Sequence, residues 1–231
     1  MNRKLQNIFM TGTDTGVGKT FSTILIGKYL QKKGIDVGYF KPIETGCDED
    51  LVPEDANLVK NELSLSDDIE LICPVRFKFP LAPYAASKIE NKSVNFDLIN
   101  KSWQMLNDKH DIVLTEGAGG LLVPISNDLF MIDLINYFDI PALLISKNIL
   151  GTINHTLLSL NYLKYKKIDV KAVILNKIDK QNSDMSSFSN YEVIKDFTKP
   201  LSIMCLDYKQ DETETSSNIS NDFDDIFFHN K

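Results

Sequence analysis

Short apolar runs alternate with amphipathic stretches along most of the chain. The runs are short enough for buried strands, and the stretches between them repeat their apolar positions with the 3.6-residue period of a helix. Strands are predicted at 8–10, 37–40, 111–116, 142–145 and 170–175, and helices at 20–33, 56–63, 94–109, 128–138 and 151–166. This alternation predicts an α/β fold in which a mainly parallel β-sheet carries helices on both faces, in three layers.

Two segments interrupt this pattern. Residues 74–83 contain three prolines, so we expect an irregular connection there and not a strand. Residues 207–231 hold seven acidic and two basic side chains, which predicts an acidic tail that is flexible or loosely docked. Apolar residues at 223 and 226–228 leave a short docking helix as the alternative. No repeat or glycine-rich linker divides residues 1–206, which are predicted to form one domain.

A glycine-rich stretch from Gly12 to Thr20, GTDTGVGKT, joins the first predicted strand to the first predicted helix. In such a P-loop, backbone N–H groups and the positive end of the helix dipole point at bound phosphates. Lys19 can then reach the outer phosphates, and the Thr20 hydroxyl can ligate magnesium. The loop departs from common patterns at Thr13, where a glycine is usual, and at Asp14, where partition-type ATPases carry a signature lysine.

Further chemically active residues follow two other predicted strands. Lys41 and Thr45 come directly after the strand at 37–40, and Glu116 ends the strand at 111–116 before the cluster Gly117-Ala118-Gly119-Gly120. Because ligands of open parallel sheets gather beyond the carboxyl ends of the strands, we expect these side chains to face the P-loop. The Glu116 carboxylate is then placed to hold magnesium through water.

Composition narrows the class of partner. The net charge of −7 and the pI near 5.0 argue against nucleic acid or an anionic membrane as the main partner and favour a small molecule. The three cysteines are far apart and form neither a disulfide framework nor a zinc motif, which is typical of reduced cytosol. No signal-peptide pattern or membrane-spanning apolar stretch is present, so a cytoplasmic location is expected.

Five segments together resemble the dethiobiotin synthetase family: 11–20, 41–46, 116–120, 150–155 and Asn176. The resemblance implies a P-loop NTPase-like fold and a homodimeric ligase of biotin biosynthesis. It implies that the enzyme uses ATP, Mg²⁺ and CO₂ to close a ureido ring on 7,8-diaminopelargonic acid. In this family the reaction passes through a carbamate and a carbamic-phosphoric anhydride, and a second subunit completes the site at the substrate's carboxylate end.

The resemblance also implies roles for individual residues. Lys19 and Lys41 are the candidates for catalysis, since their charges can neutralise the carbamate and the γ-phosphate. Magnesium ligands are implied at Thr20, Asp55 and Glu116. Substrate contacts are implied at Thr15, Lys41, Thr45, Leu150 and Asn154. Nucleotide contacts are implied at Thr15, Gly16, Val17, Gly18, Lys19, Thr20, Phe21, Asp55, Glu116, Gly117, Ala118, Gly119, Asn176 and Lys177. His155 is read as a structural donor and not as a general base.

Two other classes of nucleotide-binding protein stay open at this point. Asn176-Lys177-Ile178-Asp179 has the N-K-x-D form by which GTPases recognise guanine, although their D-x-x-G motif is missing here. A partition-type regulatory ATPase would need a lysine at position 14 and a basic or amphipathic C-terminal helix. ATP is the expected nucleotide, and Asp179 is the side chain that could favour guanine. At 203–207, where the family has a loop bordering the adenine, the chain reads IMCLD, so no base contact is carried over.

Overall fold

A computed structural model describes residues 4–177, 185–207 and 217–228. Within these residues the strands are β1 (Ile8–Gly12), β2 (Val37–Phe40), β3 (Ile43–Thr45), β4 (Val75–Phe77), β5 (Ile112–Gly120), β6 (Ala142–Lys147), β7 (Val170–Asn176) and β8 (Ser202–Leu206). The helices are α1 (Lys19–Lys32), α2 (Glu54–Glu62), α3 (Ile69–Ile72), α4 (Pro83–Ile89), α5 (Phe96–Lys109), α6 (Met131–Phe138), α7 (Thr152–Tyr165), α8 (Met185–Thr198) and α9 (Ser217–Phe227).

Six strands form one parallel sheet in the order β2-β5-β1-β6-β7-β8. All five strands predicted from the sequence are present, and the predicted α/β fold is confirmed. After β1 the chain moves towards one edge of the sheet, and after β5 it moves towards the other. The P-loop therefore leaves the sheet beside the point where the direction reverses, which is where open parallel sheets bind ligands.

Apolar side chains cover both faces of the sheet. On one face, α1 buries Leu25 and Leu30 against β1 and β5. On the other face, α5 buries Ile99, Trp103 and Leu106, and the Trp103 ring centroid lies 4.7 Å from that of Phe138. Phe40 of β2 completes this aromatic cluster, with its centroid 5.9 Å from both rings. Burying both faces of a parallel sheet requires strands that are apolar throughout, as the sequence pattern indicated.

The expectation of an irregular connection at 74–83 is wrong in part. Val75, Arg76 and Phe77 form β4, which pairs in parallel with β3 in a separate two-stranded sheet. Val75 and Phe77 are buried, whereas Arg76 is half-buried, so the segment follows the two-residue period of a strand. The prolines lie outside the three residues that pair, at 74, 80 and 83, and therefore do not interrupt the ladder.

No strand was predicted at 203–207, the place where the family has a loop bordering the adenine. Residues 202–206 form β8, an outer strand of the main sheet that pairs with β7. Met204 and Leu206 are buried while Cys205 is exposed, again with a two-residue period. Any loop that follows this strand begins at Asp207, and residues 208–216 lie outside the described part of the chain.

The last described segment is a helix, the alternative that the sequence left open. Helix α9 buries Phe223 against α1, with its ring centroid 5.1 Å from that of Tyr29. The Tyr29 hydroxyl donates to Asp224 Oδ1 at 2.5 Å, and Lys33 Nζ donates to the same oxygen at 3.0 Å. Burial and the Asp224 carboxylate raise the pKa of Tyr29 to about 12. Among the described residues, no helix has the length and apolar character needed to cross a membrane.

Candidate active site

The P-loop is shaped by two glycines that no other residue could replace without strain. Gly18 has a φ of +92°, and a Cβ there would lie 1.9 Å from Asn176 Nδ2. A Cβ on Gly12 would lie 2.8 Å from Val17 Cγ2 and 2.9 Å from the Asp14 carbonyl oxygen. Gly18 directly precedes α1, so the helix N-terminus opens at Lys19 with free backbone N–H groups.

Thr13, where the common pattern has a glycine, has a structural role of its own. Its hydroxyl lies 3.1 Å from the Ser146 hydroxyl of β6, and Ser146 lies 2.7 Å from Thr152 and 3.0 Å from Thr156 of α7. These four hydroxyls form a mostly buried network that ties the start of the P-loop to β6 and α7. Thr13 therefore lacks the backbone freedom of a glycine, but its hydroxyl forms a hydrogen bond that holds the P-loop in place.

Lys41 lies at the centre of the site. Its ammonium donates to Glu116 Oε1 at 2.6 Å and to Asp55 Oδ2 at 3.0 Å. Lys41 and Glu116 are 3% and 0% exposed, so water barely screens their interaction. Burial opposes the charge on Lys41, but Glu116 and Asp55 outweigh it and raise its pKa above the ordinary lysine value. The same ammonium lowers the pKa of Asp55, again against the effect of burial.

Glu116 is held by four donors: two on α1, one on β2, and Lys41 directly after β2. Oε1 accepts from Thr20 and Lys41, and Oε2 accepts from Thr23 at 3.1 Å and from Tyr39 at 3.2 Å. The sequence analysis missed Thr23 and Tyr39. Thr23 lies one helical turn after Lys19 on α1. This four-residue spacing places both side chains on the same face of the helix and could have identified Thr23 from the sequence. Tyr39 lies in an apolar strand that the sequence marked only as core.

Glu44 is a further residue that the sequence analysis missed. It belongs to β3, is 5% exposed, and accepts from the backbone N–H groups of Asp55 at 2.9 Å and of Ala56 at 3.0 Å. Burial raises the pKa of Glu44, while Lys41 and the two N–H groups act in the opposite direction. Glu44 therefore adds a third carboxylate to the surroundings of Lys41.

A cavity of about 770 Å³ opens beside these groups at the carboxyl ends of the strands. It is lined by predicted residues from four segments of the chain: Thr15, Gly16, Gly18, Lys19, Thr20, Phe21, Lys41, Thr45, Asp55, Glu116, Gly117, Ala118 and Gly119. Burial and the neighbouring Lys41 charge lower the pKa of Lys19 to about 8. The cavity thus combines two lysines, three carboxylates and a helix N-terminus, a set suited to a polyphosphate and a second anionic reactant.

Comparison with known proteins identifies the family. The family model described as "AAA domain" matches residues 6–215. The chain is 42% identical over 185 residues to the ATP-dependent dethiobiotin synthetase BioD of Methanococcus vannielii, covering 80% of this chain and 83% of the relative. It is also 42% identical over 189 residues to the protein of that name from Methanocaldococcus jannaschii, covering 80% and 84%. The chain belongs to the dethiobiotin synthetase family.

Solved structures support the fold of this synthetase family member. A putative plasmid partition protein from Borrelia burgdorferi, bound to AMPPNP, superposes with a TM-score of 0.57 at 12% identity, covering 96% of both chains. A ParA family ATPase from Chlorobium tepidum gives 0.53 at 14% identity, covering 95% of this chain and 98% of that one. At such identities the likeness shows a shared P-loop NTPase fold. The family assignment favours a synthetase over the GTPase and the regulatory ATPase that the sequence left open.

The residues present fit a magnesium ion. Thr20, Asp55 and Glu116 bring one hydroxyl and two carboxylates together, the hard oxygen donors that this cation prefers. The Thr20 hydroxyl donates to Glu116 Oε1 at 3.0 Å. The Lys41 ammonium bridges the same two carboxylates, which shows that the pocket between them accepts a cation.

The structure does not bring every predicted synthetase residue into the cavity. Leu150 is 80% exposed and Asn154 is also exposed, and neither lines the cavity of its own chain. His155 is exposed beside them, at the start of α7. These residues belong to the surface that the helix presents to solvent.

Asn176 and Lys177, the predicted base contacts, lie at the end of β7, where Asn176 packs against the P-loop. Asn176 ends β7 as expected, is 3% exposed, and donates from Nδ2 to the Val17 carbonyl oxygen at 3.0 Å. Lys177 follows it and donates its backbone N–H to Leu206. Asp179, on which the prediction about guanine depends, lies outside the described residues.

Proposed function

We propose that the protein is a dethiobiotin synthetase of biotin biosynthesis. It carboxylates 7,8-diaminopelargonic acid with CO₂ and uses ATP to close the ureido ring, giving dethiobiotin, ADP and phosphate. The observation that carries the proposal is the joint placement of Lys19 and Lys41 in one cavity beside the P-loop, in a chain about 42% identical to named synthetases. Small molecules are the partners, and the cytoplasm is the location that fits such a reaction.

The first part of the reaction brings two anions together. One substrate amine captures CO₂ as a carbamate, and a carbamate oxygen then attacks the γ-phosphorus of ATP, with ADP as the leaving group. Lys19 binds the phosphate side and Lys41 the carbamate side, so that the repulsion between the two anions falls as they approach. The raised pKa of Lys41 keeps its ammonium charged at neutral pH.

The second part closes the ring. The other substrate amine attacks the carbonyl carbon of the carbamic-phosphoric anhydride, loses its proton and expels phosphate. Thr15 of the P-loop and Thr45 of β3 both line the cavity and can orient the carbamate by hydrogen bonds. No protein nucleophile is required, which agrees with a cavity built from cations, carboxylates and hydroxyls.

Thr20, Asp55 and Glu116 would hold Mg²⁺. When bound, the ion supplies positive charge to the β- and γ-phosphates of ATP. Thr23 and Tyr39 orient Glu116 through its second oxygen, so that the carboxylate keeps one oxygen directed at the cavity.

A second copy of the chain would complete the site. Leu150 and Asn154 match substrate contacts of the family but lie on an exposed surface of their own chain. In a two-fold symmetric dimer the same surface of each copy can reach the cavity of the other. We therefore include a homodimer in the proposal, with these two residues at the carboxylate end of the substrate.

The deciding experiment is turnover by the purified protein. Dethiobiotin and phosphate are expected in equal amounts, and both should require ATP, Mg²⁺, bicarbonate and diaminopelargonate. ATP hydrolysis that continues at the same rate without diaminopelargonate would instead indicate a switch ATPase. Comparing kcat/KM for ATP and GTP tests the proposed nucleotide, and Asp179→Ala tests whether this residue influences the choice.

A further inference from the structure

Helix α2, which carries Asp55, begins without an ordinary N-cap. Its N-cap residue is Pro53, which has no side-chain oxygen to accept a hydrogen bond. An N-cap side chain normally accepts from the backbone N–H of the second or third helical residue. In α2 these residues are Asp55 and Ala56, and both of their N–H groups donate to the carboxylate of Glu44. A distant strand residue thus supplies the missing cap.

This cap costs more than a local one, because it buries a carboxylate. Glu44 is 5% exposed, and burial raises its pKa, although Lys41 and the two N–H groups favour the charged form. A serine at position 53 would satisfy the same N–H groups with a neutral side chain. Helix stability alone therefore does not account for a buried carboxylate in β3.

The geometry shows what Glu44 adds. Its Oε1 holds the backbone N–H of Asp55 at 2.9 Å, while the Asp55 side chain reaches Lys41 at 3.0 Å. Lys41 and Glu44 are three residues apart in one segment, with Pro42 between them, and that segment lies against the start of α2. Glu44 therefore sets the position of Asp55 relative to Lys41, Thr20 and the cavity.

We propose that Glu44 is a positioning residue for the reaction, which acts by fixing the Asp55 carboxylate at the place where it meets Lys41 and the nucleotide's metal. The inference rests on the proposed function, because Asp55 is assigned to the metal there. The second N–H contact, from Ala56, prevents the first turn of α2 from rotating about the first contact. Two contacts therefore set the direction of the Asp55 side chain.

Restoring a cap at position 53 provides the test. Glu44→Ala removes both acceptors and should lower kcat/KM for ATP by between about tenfold and a hundredfold, the usual effect of a misplaced group. Adding Pro53→Ser to Glu44→Ala supplies a local cap and should recover most of this loss. Adding Pro53→Ala removes the proline without supplying an acceptor and should recover none of it. Pro53→Ser alone should leave the activity unchanged.

A second pair of variants separates positioning from general stability. Glu44→Gln keeps the size of the side chain but leaves one N–H group facing an amide donor, and it too should lower kcat/KM. In an Asp55→Asn background it should have little further effect, because the carboxylate that Glu44 positions is already absent. Assays are run well below each variant's Tm, and the apparent activation constant for Mg²⁺ should rise in Glu44→Gln.

Amide hydrogen exchange gives a measurement that does not depend on activity. The Asp55 and Ala56 amides should exchange faster in Glu44→Ala and regain protection when Pro53→Ser is added. The inference is overturned if Glu44→Ala and Glu44→Gln stay within about twofold of wild type in kcat/KM, if Pro53→Ala rescues as well as Pro53→Ser, or if Glu44→Gln acts equally with and without Asp55. A wild-type protein that makes no dethiobiotin would refute the proposed function instead, and the exchange data would still test the cap.

Discussion

Lys41 shows how the contacts of a single residue support the role proposed for it. It directly follows β2 and its side chain is buried, yet its ammonium donates to both Glu116 and Asp55. An isolated charge at this depth would be strongly unfavourable, so the two carboxylates are what allow a lysine here. Lys19 differs because burial lowers its pKa to about 8 and its strongest contact is a carbonyl oxygen at 3.4 Å. A bound polyphosphate would supply an anionic partner for the Lys19 ammonium and would favour its charged form.

Replacing Lys41 tests whether Lys41 acts on the carbamate while Lys19 binds the phosphates. Lys41→Ala should lower kcat by about 10²-fold or more, the size expected when a preorganised charge is removed from a reacting centre. Nucleotide affinity should be largely kept, because Lys41 follows β2 and lies outside the P-loop, which follows β1. Steady-state kinetics and nucleotide titration with Mg²⁺ present measure the two effects separately.

The matched control for this substitution is Lys101→Ala, at an exposed lysine of α5. It should leave both quantities unchanged. Near wild-type turnover by Lys41→Ala would remove Lys41 from the mechanism. A large fall in Tm would instead show that Glu116 and Asp55 need the ammonium to stabilise the fold.

At the scale of elements, the junction of β1 and α1 depends on close contacts with β7. The αL conformation of Gly18 starts the helix, and Asn176 lies directly against it. Asn176 also donates to the Val17 carbonyl oxygen, so β7 fixes the P-loop from behind. The P-loop is thus held by neighbouring strands as well as by its own glycines.

Two glycines that flank α1 allow this junction to be tested. Gly18→Ala should destabilise the protein by more than the ~1–2 kcal/mol that the αL conformation costs an alanine, because the new Cβ would also collide with Asn176. It should weaken ATP binding as well, since the loop must move to relieve the collision. Thermal unfolding and ATP titration are the measurements.

Gly34, just past the other end of α1, is the matched control. Its φ is +80°, but a Cβ there would meet nothing within 4 Å. Gly34→Ala should therefore show the conformational cost alone and leave ATP affinity unchanged. Equal effects of the two substitutions on ATP affinity would contradict the role given to the Gly18 contact.

For the whole molecule, the parallel sheet brings the proposed catalytic groups together at the carboxyl ends of its strands and leaves two proposed substrate contacts on the surface. The cavity lies at the carboxyl ends of β1, β2 and β5, whereas Leu150 and Asn154 lie beyond β6 and face outward. No rearrangement within one chain is needed if a second copy supplies these residues. The homodimer and the division into residues 1–206 and 207–231 stay predictions at this scale.

Mixing two defective variants tests whether the active site is shared between subunits. Lys41→Ala removes a charge from the chain that binds ATP, and Asn154→Asp places a carboxylate against the substrate's own carboxylate. If each site takes Lys41 from one chain and Asn154 from the other, a mixed dimer retains one intact site. After subunits exchange at equal amounts, activity should approach about a quarter of wild type. Activity that only averages the two parents would show that both residues serve the same chain's site.

The sequence by itself determined the parts of the fold and site that depend on local pattern. The strand, glycine turn and helix around Lys19 and Thr20 were predictable, because hydrophobic period and glycine placement act over a few neighbouring residues. The closeness of Lys41 and Glu116 was also predictable, since Lys41 follows one predicted strand, Glu116 ends another, and the carboxyl ends of parallel strands lie together. The three-residue strand at 75–77 and the outer strand at 202–206 were missed, because pairing with distant strands decided them.

Only the tertiary structure decided which side chains support that framework. Glu44 caps a helix ten residues away, Tyr39 holds Glu116 from within an apolar strand, and Thr13 is anchored by Ser146 of another strand. None of these partners is close in the sequence, so no local pattern marks them. Folding removes these polar groups from water, so each must find a hydrogen-bond partner inside the protein. Which partner it finds depends on how the whole chain packs.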